Sequence, residues 1–184
     1  MRNLNLLLLA LTLTLSCCNT TNKQQAIIQV DADSLLNNIN DYNHKTIETK
    51  GFVAHVCGVN RQKLKLITAD GQALKVVPSD STECFDKSLT RKMIKIQGVA
   101  VENRIPRAQI EKLNKAKSLL CHVDQKPCID SAWIKRQHKL NHAETILKRD
   151  FDKLNAKMNE TGKAYISVVT VHLNHLEIIK PEGK

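Results

Sequence analysis

The sequence predicts an α+β fold in which a small β-barrel is followed by a long α-helix and a C-terminal strand. Short runs of alternating apolar residues recur between residues 45 and 101, and a glycine interrupts two of them, Gly51 and Gly98. A stripe of apolar residues at helical spacing follows in the second half of the chain. Aromatic residues make up only 3% of the chain, so its core must be mostly aliphatic.

The first residues predict an exported protein with a lipid anchor. Arg2 precedes an apolar run of about a dozen residues, which is typical of a signal peptide and too short to span a membrane. The run ends in Leu-Ser-Cys, as in bacterial lipoprotein signals, so we predict a signal peptide at residues 1–17 with lipidation at Cys17. Cys18 is the alternative, because Leu15 stands at the preferred position before it, but Ser16 is the small residue that favours Cys17. Residues 18–25 are polar and are expected to form a tether.

The barrel is expected to begin after one short helix. Asp31–Ile39 has the apolar spacing of a helix, and Asp33 or Ser34 can cap its first turn. The next run, Lys45–Gly58, is rich in β-branched residues and predicts a long strand. Gly51 within it suggests a bulge. Alternation would place on one face Ile47, Thr49, Gly51, Val53, His55 and Cys57.

Three further strands and a helix are expected to complete residues 26–120. The strands are Lys63–Thr68, Ala73–Val77 and Met93–Val101, and an Asp70-Gly71 turn joins the first two. Pro106 opens a helix that runs to about Leu120. This order suggests a Greek-key barrel of the OB type, with a two-sheet sandwich as the alternative, because strand counts do not determine closure.

Residues 121–180 are expected to form a cysteine-containing loop, a long helix and a closing strand. The loop is Cys121–Asp130, the helix Ser131–Glu160 and the strand Ala164–Leu173. The apolar stripe of the helix is more typical of core packing than of a cofactor site. It comprises Trp133, Leu140, Ala143, Leu147, Phe151, Leu154 and Met158.

The net charge of +10 favours an anionic ligand or an acidic protein as partner, although a solvated basic surface would have the same composition. Nucleic acid would suit charge and fold, but the export signal and the scarcity of aromatic residues for base stacking argue against it. The sequence contains no glycine-rich phosphate loop and no serine nucleophile elbow. We therefore expect a protein that is not an enzyme.

His55 and Cys57 are the residues that most suggest chemistry. Two residues apart on a strand, they leave the same face and could share Zn²⁺ or copper. Cys84 is the expected third ligand, and His122 or Cys121 could be a fourth. A single His-x-Cys is a weak signal, so a barrel histidine beside a buried or disulfide-bonded cysteine is the alternative.

Disulfides are the competing use of the cysteines. Apart from Cys17 and Cys18 there are Cys57, Cys84, Cys121 and Cys128, which allow three pairings. We favour Cys121–Cys128, which would close a short loop, together with Cys57–Cys84, which would cross-link the barrel. A thiol oxidoreductase is not expected, because there is no CxxC motif.

Four other histidines are expected to be surface residues. His138 and His142 have the spacing that can chelate a metal on a helix, but both lie off the apolar stripe and no glutamate follows His138 as in a zinc peptidase. His172 and His175 do not share a face of the last strand by alternation.

Several segments together resemble a family. They are Gly51–Cys57, Cys84–Asp86, Ile96–Glu102 with Arg104-Ile105, and Gly162–Ser167, and they resemble uncharacterised Bacteroidetes lipoproteins with an OB-like barrel, a helix and a closing strand. The resemblance implies fold and location but no activity. The first strand of that family often ends in His-x-Cys followed closely by another histidine. Here Gly58-Val59-Asn60 stands in that region, so this ligand is missing.

Together these features predict a membrane-anchored lipoprotein of the outer membrane that faces the periplasm. The tether lacks the acidic run that sends some Bacteroidetes lipoproteins to the cell surface. The expected function is a ligand- or protein-binding module without a fixed cofactor. The alternative is a lipoprotein that handles zinc or copper through His55, Cys57 and Cys84.

Overall fold

A computed structural model describes residues 26–57, 59–80 and 83–180. The predicted signal peptide, Cys17, Cys18 and the tether lie outside the described residues. Within those three ranges, no helix is both long and apolar enough to cross a membrane.

Six strands form one sheet. They are β1 (Ile28–Gln29), β2 (Thr46–Cys57), β3 (Lys63–Ile67), β4 (Ala73–Pro78), β5 (Met93–Pro106) and β6 (Tyr165–Ile178). Five helices accompany them: α1 (Ala32–Asn37), α2 (Ile39–Tyr42), α3 (Arg107–Lys115), α4 (Ser131–Lys139) and α5 (Ala143–Thr161). The chain is thus α+β, as the sequence predicts.

The sheet closes into a five-stranded barrel because β2 is long enough to pair twice. Its first half, Thr46–Phe52, is antiparallel to β5, and its second half, Phe52–Cys57, is antiparallel to β3. The circuit runs β2-β3-β4-β6-β5 and returns to β2, while β1 lies alongside the start of β2. The pairing of β4 with β6 is parallel, so the barrel is mixed. This closure excludes the sandwich alternative.

Most of the buried apolar residues form two separate cores. One fills the barrel and includes Leu64, Leu66, Leu74, Ile94 and Ile96, none of which is exposed to solvent. The other joins the helices to the far ends of β5 and β6. It is made mainly of Ile105, Ile110, Leu119, Leu120, Ala143, Leu147, Phe151, Leu154, Met158 and Ile166. The expected helical stripe therefore packs as core, except Leu140, which is 51% exposed.

Several predicted boundaries are wrong. The long helix is broken between α4 and α5, where Asn141 adopts a left-handed φ of 54° and Leu140 closes α4. Helix α1 is capped by Asp31, which accepts the hydrogen bond from the Ser34 amide at 2.8 Å, and not by Asp33 or Ser34. Helix α3 ends at Lys115, whereas β5 and β6 continue beyond their predicted ends. The two strands extend together because each satisfies the backbone groups of the other.

The predicted break at Gly98 is a close approach of two strands. The register of β5 against β6 shifts between Gln97 and Gly98. A Cβ atom on Gly98 would collide with the carbonyl oxygen of His172 and lie 2.8 Å from Cγ1 of Val171. At Gly51, the nearest atoms to an added Cβ belong to the Leu66 side chain, at 3.2 Å, and the carbonyl oxygen of Ile67 lies at 3.7 Å.

We therefore expect Gly98→Ala to destabilise the protein by about 3 kcal/mol, because a backbone carbonyl cannot move aside as a side chain can. Gly51→Ala is the matched control and should cost about 1 kcal/mol. Denaturant unfolding measures both free energies. Equal losses for the two variants would contradict this account of Gly98.

Candidate metal centre

A bulge in β2 determines which way His55 and Cys57 point. The register against β3 shifts between Val53 and His55, so that Val53 and Val56 are both buried in the barrel core. His55, predicted to share a face with Val53, is instead exposed on the outside. Cys57 lies two residues on, outside the barrel core, and only 9% of it is exposed. The bulge thus falls at residue 54 and not at Gly51, and it turns both side chains outward.

The loop between α3 and α4 covers this outer face. A short antiparallel bridge joins Leu120 to Pro127. The amide of Cys121 donates to the carbonyl of Lys126 at 2.7 Å, and the amide of Gln125 donates to the carbonyl of Cys121 at 2.9 Å. Cys121 and Val123 form a small apolar cluster with Cys57, which explains why Cys57 is nearly buried although it points away from the barrel.

Asp124 attaches this loop to the barrel wall. Its carboxylate is 2% exposed and lies 2.8 Å from Nζ of Lys63 on β3 and 3.3 Å from Nζ of Lys75 on β4. Both lysines are mostly buried, at 21% and 12% side-chain exposure. One buried carboxylate between two ammonium groups leaves no buried charge without an opposite partner in this cluster.

The ionisation of Asp124 agrees with this geometry. Burial disfavours the charged carboxylate, but the hydrogen bond from Lys63 and the charges of Lys75 and Lys63 outweigh burial and hold the pKa of Asp124 below its usual value. For Lys63, burial acts against the charge, yet Asp124 raises the pKa of the ammonium above its usual value. Asp124 and Lys63 are therefore both charged at neutral pH.

The anchored loop brings a second histidine to β2. The donor atoms of His55, Cys57 and His122 all lie within 4.8 Å of one another. The two imidazole rings have their centroids 4.9 Å apart and are tilted by 50°. Donors bound to one tetrahedral ion are about 3.3–3.8 Å apart for bonds of about 2.0–2.3 Å. Side-chain movements of roughly 1 Å would therefore close this group around an ion.

Both histidines carry the protonation state that a metal needs. Partial burial, and then the charge of Lys65, lower the pKa of His55. Partial burial and the neighbouring His55 lower the pKa of His122. Neutral imidazoles have a free ring nitrogen to bind a cation.

A second thiol lies beside the group. The Sγ atoms of Cys57 and Cys121 are 3.7 Å apart, at hydrogen-bond distance for sulfur. The hydrogen bond from Cys57 and the amides of Val123 and Asp124 lower the pKa of Cys121 to about 6 against the effect of burial. The same hydrogen bond, and then burial, raise the pKa of Cys57. Cys57, the thiol whose pKa is raised, must release its proton when it binds a metal ion.

The remaining residues predicted as metal ligands or disulfide partners are not members of the donor group. Cys84, the expected third ligand, is exposed, with its Sγ 3.3 Å from the guanidinium of Arg61, and it is not a member of the donor group. Cys128 is partly buried, and its amide donates to the carbonyl of Leu119 at 2.8 Å. All four cysteines named here are free thiols. The other histidines singled out from the sequence are exposed: His138, His142, His172 and His175.

The structure brings together residues that carry no joint signal in the sequence. From sequence, His122 is only a possible fourth metal ligand, and no sequence pattern indicates the cluster of Lys63, Lys75 and Asp124. Each of these charged residues is isolated in sequence. The pairing of β3 with β4 places the two lysines on neighbouring strands, and the loop after α3 brings Asp124 to both of them.

A separate cleft lies on another side of the barrel. It has a volume of about 770 Å³ and lies between the start of the described chain and the middle of β2. Its lining includes the exposed side chains Phe52 and Met93 together with Lys50 and Lys95. The donor group described above is not part of this lining.

Compared with protein-family models and with curated proteins, the chain matches none of them. The inference of function therefore depends on the geometry of its own residues.

We expect Asp124→Asn to destabilise the protein by about 2–3 kcal/mol, because it leaves Lys63 and Lys75 mostly buried without an opposite charge. Asp152→Asn is the matched control. It removes one partner of the exposed Lys148–Asp152 pair, 2.7 Å apart, and should change the free energy of unfolding much less, because solvent screens the exposed pair. Denaturant unfolding distinguishes the two, and a loss below about 1 kcal/mol for Asp124→Asn would contradict the anchoring role.

Proposed function

We propose that this protein is a membrane-anchored binding module of the OB type that binds one soft transition-metal ion, Zn²⁺ or copper, at its barrel wall. The single observation that carries the proposal is the convergence of His55, Cys57 and His122, whose donor atoms lie within 4.8 Å of one another. This ligand set replaces the set of His55, Cys57 and Cys84 expected from sequence.

The donor types favour these ions. A thiolate with two imidazoles suits zinc and copper and does not suit Mg²⁺ or Ca²⁺, which take oxygen ligands. The nearest carboxylate on the loop, Asp124, is already engaged by two lysines and adds no oxygen ligand to the group.

The exposure of the ligands favours a site that exchanges its ion. Both histidines are exposed, whereas Cys57 is nearly buried. Structural zinc sites are closed by four protein ligands, and sites with three ligands keep a position open. We infer that the site takes up and releases metal and that it does not serve to hold the fold together, since its three candidate ligands belong to neither apolar core.

A reduced sample of the full chain, purified in detergent without a histidine tag, should bind one equivalent of Zn²⁺ in a competition titration. Loss of a ligand should cost more than the roughly 10–100-fold seen when supporting groups are changed, so we expect Cys57→Ser and His122→Ala to weaken binding by about 100-fold or more. With Co²⁺ as probe, the thiolate-to-metal absorption band should disappear in Cys57→Ser alone.

The matched controls are Cys84→Ser and His138→Ala, which remove an exposed thiol and an exposed imidazole outside the group. Both should bind zinc as the unaltered protein does. A loss in Cys84→Ser as large as that in His122→Ala would restore the ligand set expected from sequence. Absence of zinc binding by the reduced protein would overturn the proposed function.

The proposal of a membrane anchor is drawn from the sequence. The apolar run that ends at Ser16 and the two cysteines after it support lipidation at Cys17 and a periplasm-facing position on the outer membrane. The resemblance to Bacteroidetes lipoproteins supports the same location.

A native mass spectrum should therefore show an acylated chain that begins at Cys17. The Cys17→Ser variant should move from the membrane fraction to the soluble or unprocessed fraction, because one lipid-modified residue supplies the anchor. Cys18→Ser is the matched control and should stay in the membrane fraction. An unmodified chain that begins beyond Cys18 would show an ordinary cleaved signal.

A further inference from the structure

We propose that Cys57 and Cys121 form a reversible disulfide and that its formation releases the metal ion from the site. This inference concerns the regulation of the site, and its metal part rests on the proposed function. Cys121 acts here as the partner thiol of Cys57 and not as a ligand, since it is not a member of the group formed by His55, Cys57 and His122.

The geometry selects this pair among the cysteines. The two Sγ atoms are 3.7 Å apart, and a disulfide needs a separation of about 2.05 Å, which rotation of two side chains can supply. Both cysteines belong to one small buried cluster with Val123.

The pairs expected from sequence are less well placed. Cys84 is exposed and contacts Arg61. In the bridge that joins Leu120 to Pro127, the residue opposite Cys121 is Lys126, so Cys128 lies diagonally across. The structure therefore favours Cys57–Cys121 over both Cys57–Cys84 and Cys121–Cys128.

The loop can keep its position in both redox states. The ion pairs of Asp124 with Lys63 and Lys75 hold the loop on β3 and β4 without any help from the thiols. Breaking the disulfide would therefore leave Cys121 beside Cys57, ready to form it again. The disulfide is therefore not needed to hold the loop, as a purely structural disulfide would be. It can form and break as a switch.

The chemistry is a two-electron exchange with a small disulfide, RSSR. The thiolate of one cysteine attacks a sulfur of RSSR, forms a mixed disulfide and expels RS⁻. The second cysteine attacks the protein sulfur of that mixed disulfide, forms the Cys57–Cys121 bond and expels the second RS⁻. Each RS⁻ takes up a proton from a protein thiol or from water, so that the protein is oxidised by two electrons and two RSH molecules are formed.

Metal and disulfide compete for the same sulfur atom. A metal binds Cys57 as a thiolate, and in the disulfide that negative charge is gone. Oxidation should therefore expel the ion, and bound ion should slow oxidation, since the coupling between two mutually exclusive states acts in both directions.

The test uses the full chain in detergent, reduced and loaded with one equivalent of Zn²⁺, then treated with oxidised glutathione. A chromogenic zinc chelator follows release, and peptide mapping by mass spectrometry locates the disulfide. We expect one zinc released for each Cys57–Cys121 bond formed. In Cys121→Ser, zinc should bind within about threefold of the unaltered affinity and be released at least tenfold more slowly. Cys84→Ser is the matched control and should behave as the unaltered protein.

Three results would overturn the proposal. They are release from Cys121→Ser at the unaltered rate, a disulfide mapped to a different pair, and failure of reduced Cys121→Ser to bind zinc, which would make Cys121 a ligand. Mapping the disulfide in protein kept free of metal tests the thiol pair by itself. A chain that forms the Cys57–Cys121 bond yet never binds zinc would thus remove the proposed function while leaving the disulfide established.

Discussion

The ion pairs of Asp124 with Lys63 and Lys75 are the interaction on which the candidate site depends. Within the part of the chain that the structure describes, no other ion pair holds the loop at residues 119–128 on the outside of the barrel. The carboxylate reaches two neighbouring strands at once, at 2.8 Å and 3.3 Å, and so fixes the loop across them. Cys121 and His122 come to lie beside β2 because they are two or three residues from this anchor. Because ion pairs attach the loop, the proposed change of Cys57 and Cys121 between thiols and disulfide does not have to hold it in place.

The bulge in β2 is the second requirement. A regular strand would have kept His55 on the same face as Val53, inside an aliphatic barrel, where an imidazole has few polar partners. One extra residue in the pairing with β3 reverses the faces, so that Val56 enters the core and His55 leaves it. The core loses nothing, because valine again fills the interior position. Bulges are common where a strand must re-aim a side chain toward a site.

Two features of the site reinforce each other. Neutral histidines and a thiol offer donors to a soft metal ion, and the neighbouring Cys121 offers the same thiol a different partner. The site is built on the outer wall of the barrel, and its three candidate ligands belong to neither apolar core. Loading, release and oxidation can therefore occur without unpacking the fold, which is the physical condition for reversible binding.

The sequence by itself determined the kinds of element and most of their order. Alternation at Lys63–Ile67 and the turn at Gly71 follow from local chemistry, and the close approach at Gly98 left its trace in a glycine that breaks a strand. It also singled out His55 and Cys57, because a spacing of two on a strand is a local fact. The acylation expected at Cys17 and the location that follows from it stay predictions from the leader.

Only the tertiary structure decided the partners of His55 and Cys57. The bulge depends on how β2 pairs with β3, and Ala54 is not a residue type that indicates a bulge. His122 and Cys121 reach β2 through Asp124, whose lysines lie on the neighbouring strands β3 and β4, far from Asp124 in sequence. Local pattern could not show which of several cysteines would meet, since their separations along the chain are long, 64 residues for Cys57 and Cys121. Contacts at such separations depend on the topology of the whole fold, which cannot be inferred from a short stretch of sequence.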